Sequence, residues 1–293
     1  METSPRQIRV SREWLRLLAE LPAAGRVVVI GPSDSGKTTL CRWLVAKLQE
    51  RAPTAWVDAD LGQSQVGPPG CVGWRMAGRQ EYEFFFVGDV TPATNPTAAL
   101  TATVRAVHDA EAAGARSVVV DTTGYLQGPD ALALKSAKLE LLEPLHLLAL
   151  GDSPAVKRLL AAWHRDERVT VQRLPMAEAL RQKTQAERSQ WRRDLFAEYF
   201  AGCDLHRIPL QGLALSGLPT ATELRETGRD WNSLGGLLLG FHDAARRGLT
   251  LGLLYQLDLR VPELLARTRA VAEQACGVAF GAIRLREDGT PMA

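Results

Sequence analysis

The run Gly31-Pro-Ser-Asp-Ser-Gly36-Lys37-Thr38 has the spacing GxxxxGK[ST]. Two glycines let a backbone wrap tightly enough for successive N–H groups to converge on one anion. A lysine after the second glycine reaches phosphate oxygens, and the Thr38 hydroxyl suits a magnesium ion. With Ser33, Asp34, Ser35 and Thr39 on the same segment, Gly31 to Thr39 is a candidate cradle for a nucleoside triphosphate. The plainer alternative is a glycine-rich strand–helix turn that binds nothing. The context favours the cradle, because Val27–Ile30 reads as a strand and Thr39–Leu48 as a helix, whose positive end would face the anion.

Two acids follow in Trp56-Val-Asp58-Ala-Asp60-Leu-Gly-Gln63. On a strand Asp58 and Asp60 face the same side. Beside a phosphate loop, paired carboxylates can hold magnesium or its waters, or accept a proton from an attacking hydroxyl; otherwise they terminate a strand and cap what comes next. Asp121 ends the apolar run Ser117-Val-Val-Val-Asp121, the usual form of the acid on the magnesium side of such sites. It too has a capping alternative.

These residues need a frame that gathers them. Strand candidates are 26–30, 54–58, 83–87, 117–121, 146–150 and 169–174, alternating with helical stretches at 37–50, 96–113, 132–142 and 154–163. Such alternation predicts an α/β fold: a phosphate-loop NTPase domain whose mostly parallel sheet is flanked by helices on both faces. Sheets of this kind bind ligands at the carboxyl ends of their strands, where each motif falls. A short amphipathic helix over 11–21 precedes it, and residues 176–200 read as one long arginine-rich helix. From about Leu205 short glycine- and leucine-rich runs (210–218, 235–241, 249–257 and 281–285) suggest a small, partly β C-terminal appendage, with a frayed tail over 287–293. The expected divisions are therefore 1–25, an N-terminal helix; 26–204, the phosphate-loop domain with the arginine-rich helix over 176–201; and 205–293, the small C-terminal domain.

The 293 residues are 46% hydrophobic and 23% charged, ordinary for a soluble enzyme able to bury a core. A net charge of +2 is too mild to announce nucleic-acid binding, so any basic surface must be local. Cys41, Cys71, Cys203 and Cys276 are widely spaced, which argues against a zinc site and for reduced thiols in the cytoplasm. No signal peptide or membrane-length apolar run is expected.

Together these segments resemble the polynucleotide 5′-hydroxyl kinase family, which includes the RNA kinase of the pre-mRNA cleavage complex and the ribosomal-RNA-processing kinase. Four stretches carry the likeness: the phosphate loop with Asp34; Asp60-Leu-Gly-Gln63 with the following Pro68-Pro-Gly70 turn; Gly88-Asp-Val-Thr91-Pro92-Ala-Thr94-Asn95, similar to the family's "clasp"; and Arg188-Ser-Gln-Trp-Arg192, similar to its RxxxR "lid". The Thr122-Thr-Gly-Tyr125 segment and the 249–255 run add to it, although Tyr125 stands where relatives often have tryptophan.

The resemblance implies an enzyme that moves the γ-phosphate of Mg-ATP to the 5′-hydroxyl of RNA or DNA. Lys37 would hold ATP, with Gln63 and Thr91 as further contacts. Thr38, Asp58 and Asp121 would hold magnesium, and Asp60 would be the base. Thr94, Asn95 and a stacking Tyr125 would meet the acceptor. Arg188 and Arg192, four apart on one helix face, would neutralise charge on the transferred phosphoryl group. Taken alone, the clasp residues also read as a turn that caps the helix from Pro96. A nucleotide-dependent switch or adaptor ATPase acting on a protein partner, or a small-molecule kinase, would use the same loop. Protein partners, RNA versus DNA, and ATP versus GTP are left open.

Overall fold

In the computed structural model, residues 10–176, 181–226, 231–271 and 273–292 are described. Their elements in chain order are α1 (Arg12–Glu20), β1 (Gly25–Ile30), α2 (Lys37–Leu48), β2 (Thr54–Ala59), β3 (Cys71–Met76), β4 (Glu83–Phe86), α3 (Pro96–Ala112), β5 (Ser117–Thr122), α4 (Pro129–Leu142), β6 (His146–Leu150), α5 (Pro154–Ala161), β7 (Thr170–Leu174) and α6 (Gln185–Phe200). The remainder comprises β8 (Asp204–Pro209), β9 (Ala214–Ser216), α7 (Ala221–Glu226), a 3-10 turn at 231–234, β10 (Leu237–His242), β11 (Gly248–Asp258), β12 (Glu263–Thr268) and β13 (Gly277–Arg284).

Two compact units emerge. The first comprises residues 1–60, 74–82 and 103–182; the second comprises 61–73, 83–102 and 183–293. The chain therefore passes between them five times, after residues 60, 73, 82, 102 and 182.

In the first unit, β2, β5, β1, β6 and β7 lie side by side in that order, all parallel. Their centres are apolar on both faces, and Val28, Val29, Ile30, Val57, Val119, Leu147 and Leu148 are fully buried. This is the pattern of a parallel sheet covered by helices. Register sets the site: Asp58 on β2 is level with Asp121 on β5, which is level with Val29 on β1. α4 begins at Pro129, earlier than the apolar pattern suggests, because proline is at home in a first helical turn.

In the second unit the sheet order is β8-β12-β11-β10-β13-β9, antiparallel except for β13 with β9. Phe196 and Phe200 of α6 pack against Cys71, Phe84, Leu238 and Leu251. Opposite them Leu239, Phe241, Leu264 and Val278 build a second apolar cluster.

Two expectations need correction. The helix expected over 176–200 starts at Gln185, because the Thr184 side chain accepts from Glu187 N–H while the Glu187 carboxylate accepts from Thr184 N–H, a reciprocal cap. Residues 177–180 of that expectation lie outside the described residues. The tail expected to fray instead forms a turn over 286–290, closed by Arg286 N–H to Thr290 O at 2.8 Å, with a bridge between Leu285 and Pro291. No helix among the described residues is long and apolar enough to cross a membrane.

Candidate active site

β1 delivers the chain into the phosphate loop, and α2 leads it away. Gly36 stands at the helix start with φ +90°, a left-handed conformation glycine adopts without strain. Asp34 is left-handed too, at φ +58°. Lys37 is 6% exposed, and its ammonium donates to the Pro32 carbonyl at 2.8 Å, so it lies along its own loop. The Ser35 hydroxyl is buried without a hydrogen-bond partner among the described residues. A loop that buries an unanswered hydroxyl, and an ammonium held only by the loop's own carbonyl, has the donors for a phosphate chain.

The carboxyl ends of β2 and β5 supply the acids. Asp58 is buried and its Oδ1 accepts from Asp60 N–H at 3.0 Å, so it also shapes the turn carrying Asp60, which is half-buried. Asp121 is 1% exposed and both its carboxylate oxygens lack a hydrogen-bond partner among the described residues. Burial raises its pKa to about 6, against the pull of the Lys37 charge and the nearby Thr38 hydroxyl. A buried, unanswered carboxylate beside a phosphate loop fits a magnesium ion, which takes one or two carboxylates and leaves the rest of its sphere to phosphates and water.

The segment after β5 closes one wall. A Cβ on Gly124 would sit 2.4 Å from the Ser33 backbone nitrogen and 2.3 Å from its hydroxyl, so only glycine lets this segment lie against the phosphate loop. The Thr122 hydroxyl donates to Val29 O at 2.8 Å. Next comes Tyr125, half-exposed, its N–H donating to the Thr123 hydroxyl at 3.3 Å.

Sequence reasoning missed two residues here. Lys135 and Lys138 of α4 are 2% and 4% exposed. Lys135 donates to the Thr123 carbonyl at 2.7 Å and so fastens the segment that carries Tyr125. Burial drives its pKa well below the usual lysine range, with Lys138 and Lys37 repelling it further. Burial brings Lys138 down to about 8, opposed by the Asp60 charge. The signal was available: on α4 the buried stripe runs Ala131, Lys135, Lys138, Leu139, Leu142, so both lysines hold core-facing positions.

The remaining expected residues belong to the second unit. Gln63 Oε1 accepts from Lys183 Nζ at 2.8 Å. In the clasp, Thr91 N–H donates to Asp89 Oδ1 at 3.1 Å, and the Thr91 hydroxyl accepts from Ala93 N–H at 3.3 Å. Asn95 Oδ1 accepts from Ala98 N–H at 3.0 Å, capping α3, while Thr94 is exposed. Asn95 thus makes the cap that the turn reading expects. Arg188 and Arg192 are half-buried on α6. Arg192 donates to the Ser189 hydroxyl at 3.0 Å, and a Cβ on Gly62 would lie 3.8 Å from its Cδ.

A polyribonucleotide 5′-hydroxyl-kinase of Pyrococcus furiosus is 28% identical over 220 residues, which cover 71% of this chain and 60% of that protein. A polyribonucleotide 5′-hydroxyl-kinase of Pyrococcus abyssi is 24% identical over 338 aligned positions, covering 94% of this chain and 93% of that one. The chain thus spans about three fifths of the first relative and nearly all of the second. Among solved structures, the Clp1p chain of a Clp1p–Pcf11p complex superposes with a TM-score of 0.64 at 13% identity, covering 93% of this chain and 77% of that one; the likeness is one of fold. The mRNA cleavage and polyadenylation factor CLP1 P-loop model matches residues 31–202. More than half of the sequence fits that model, and the chain belongs to the CLP1 P-loop family.

Proposed function

We propose that this chain is an ATP-dependent polynucleotide 5′-hydroxyl kinase. The observation that carries the reading is the buried, unanswered Asp121, level with Asp58 and beside a phosphate loop that holds Lys37 and Ser35. Relatives that are named polyribonucleotide 5′-hydroxyl-kinases support the choice of acceptor.

ATP is the phosphoryl donor. Lys37 leaves the Pro32 carbonyl for the β- and γ-phosphates, which the loop N–H groups and the Gly31 to Thr39 side chains surround. Thr38, Asp58 and Asp121 are the residues that would hold magnesium, and the ion would neutralise charge on the phosphates. Asp60 takes the proton of the 5′-hydroxyl as its oxygen bonds to the γ-phosphorus in line with the departing ADP oxygen. Arg188 and Arg192 stabilise the charge spread over the transferred group, with Gln63 and Thr91 as further nucleotide contacts. Thr94, Asn95 and Tyr125 meet the acceptor strand. All four cysteines are free, which supports a reducing compartment such as the cytoplasm.

The test is transfer of labelled γ-phosphate from Mg-ATP to short 5′-hydroxyl RNA and DNA. Label on the oligonucleotide that falls at least a hundredfold in both Lys37→Ala and Asp60→Asn supports the reading and ranks the acceptors. Tight ATP binding with no label on either acceptor refutes it and leaves a switch or adaptor ATPase.

A further inference from the structure

Away from the phosphate loop, the first unit holds a second concentration of cationic side chains. A groove of about 240 Å³ runs between the middle of α2 and the end of β3 with the turn after it, lined by Arg42, Gln49, Trp56, Arg75, Arg79 and Gln80. Arg42 lies five residues beyond Lys37, about 7.5 Å further along the helix axis, and Gln49 two turns beyond that. The groove therefore flanks the body of α2 and leaves its phosphate-loop end to the active site.

Three features separate this groove from an ordinary charged surface. The first is the lack of counter-charge. Several arginines elsewhere meet carboxylates: Arg26 with Glu111, Arg168 with Asp166, Arg207 with Glu263, Arg267 with Glu287. Arg42, Arg75 and Arg79 make no ion pair among the described residues.

The second is placement. Arg75 is half-buried, and its guanidinium carbon stands 5.5 Å from the centroid of the Trp56 ring. A cation this close to an indole face is attracted by the ring, which restricts where the Arg75 charge sits in the groove. The third is cost. Burial lowers the Arg75 pKa from its ordinary value, the Arg42 charge lowers it further, and the Asp58 charge opposes both. Guanidiniums gathered around a concavity at such a cost match an oxyanion, because each offers paired N–H groups at the spacing of two phosphate oxygens. Gln49 and Gln80 also line the groove. The volume admits one phosphate with an attached sugar and falls short of the 300–1,000 Å³ typical of whole-ligand pockets.

We propose that the Arg42–Arg75–Arg79 groove is a second phosphate-binding site, independent of the phosphate loop, that takes a single phosphate group. Two sources share that chemistry, a phosphodiester of a bound polynucleotide and free inorganic phosphate. The proposal stands whether or not the chain is a kinase, because neither binding arm below needs turnover.

The experiment uses the full chain with its phosphate loop saturated by Mg-ADP. One arm titrates inorganic phosphate by calorimetry. The other follows a fluorescent 12-nucleotide strand carrying a 5′-phosphate, so that it cannot act as an acceptor, by anisotropy at several salt concentrations. Each arm compares wild type with Arg75→Gln/Arg79→Gln and with Arg42→Gln, an exposed position that gives an independent reading if the double variant fails to fold. A loss of at least fivefold in strand affinity, with the double variant's log–log salt slope reduced by about 0.7, as expected for one phosphate of a single strand, identifies the phosphodiester. A tenfold loss confined to the phosphate arm identifies the free anion. Wild-type affinity in both arms for Arg42→Gln and for a folded double variant overturns the proposal.

Discussion

Lys138 carries a charge that the fold holds at a cost. Its folded pKa is about 8, below the ordinary lysine value of 10.5. Below pH 8 both folded and unfolded chains hold the proton, and the full cost of burying the ammonium is present. Between pH 8 and about 10.5 the unfolded chain binds more protons, so stability recovers as pH rises. Lys138→Met therefore raises the thermal midpoint at pH 7, by up to a few kcal/mol in stability, and that advantage shrinks toward pH 10. A gap between variant and wild type that stays constant over pH 7–10 contradicts this account. A core-facing lysine retained at such a cost beside Asp60 belongs to function more than to packing.

Elements were read from the sequence with uneven success, for reasons that lie in particular residues. Runs such as Val27–Ile30 and Ser117–Asp121 are apolar throughout, and only a strand buried on both faces uses such runs economically. The acids at their ends followed from the same reading. β3 was missed because Cys71-Val-Gly-Trp-Arg-Met, interrupted by Gly73, shows no clean alternation. β12 was missed because Glu-Leu-Leu-Ala-Arg-Thr favours a helix by propensity, while β11 and β8 pair with it on both edges and decide its state. The lid helix was drawn too long because Thr184 was not recognised as its cap. That cap now makes a prediction: Thr184→Ala should cost about 1 kcal/mol locally and fray the turn from Gln185 to Arg188. Hydrogen exchange should show faster amides there while Phe196 to Phe200 stay protected; unchanged exchange would mean the cap is dispensable. If Arg188 acts as proposed, turnover falls in the same variant with little change in ATP affinity.

For the molecule as a whole, the four thiols provide a check on the packing of both units. Cys41, Cys71 and Cys203 are buried and Cys276 is exposed. Burial raises the Cys41 and Cys71 pKa values further from the reactive range. One thiol should react rapidly with a thiol reagent in the native protein and four after denaturation; a second fast thiol in the native state would contradict the burial described here. The interleaving of the units has a further consequence, which concerns synthesis. A chain emerging from the ribosome completes the first unit once residue 182 is out, yet Cys71, Phe84 and the clasp have by then been waiting for partners on α6, β10 and β11. Those segments can be buried only when the last third of the message has been translated. A product that ends near residue 182 therefore leaves Phe84 and its apolar neighbours without the residues that bury them.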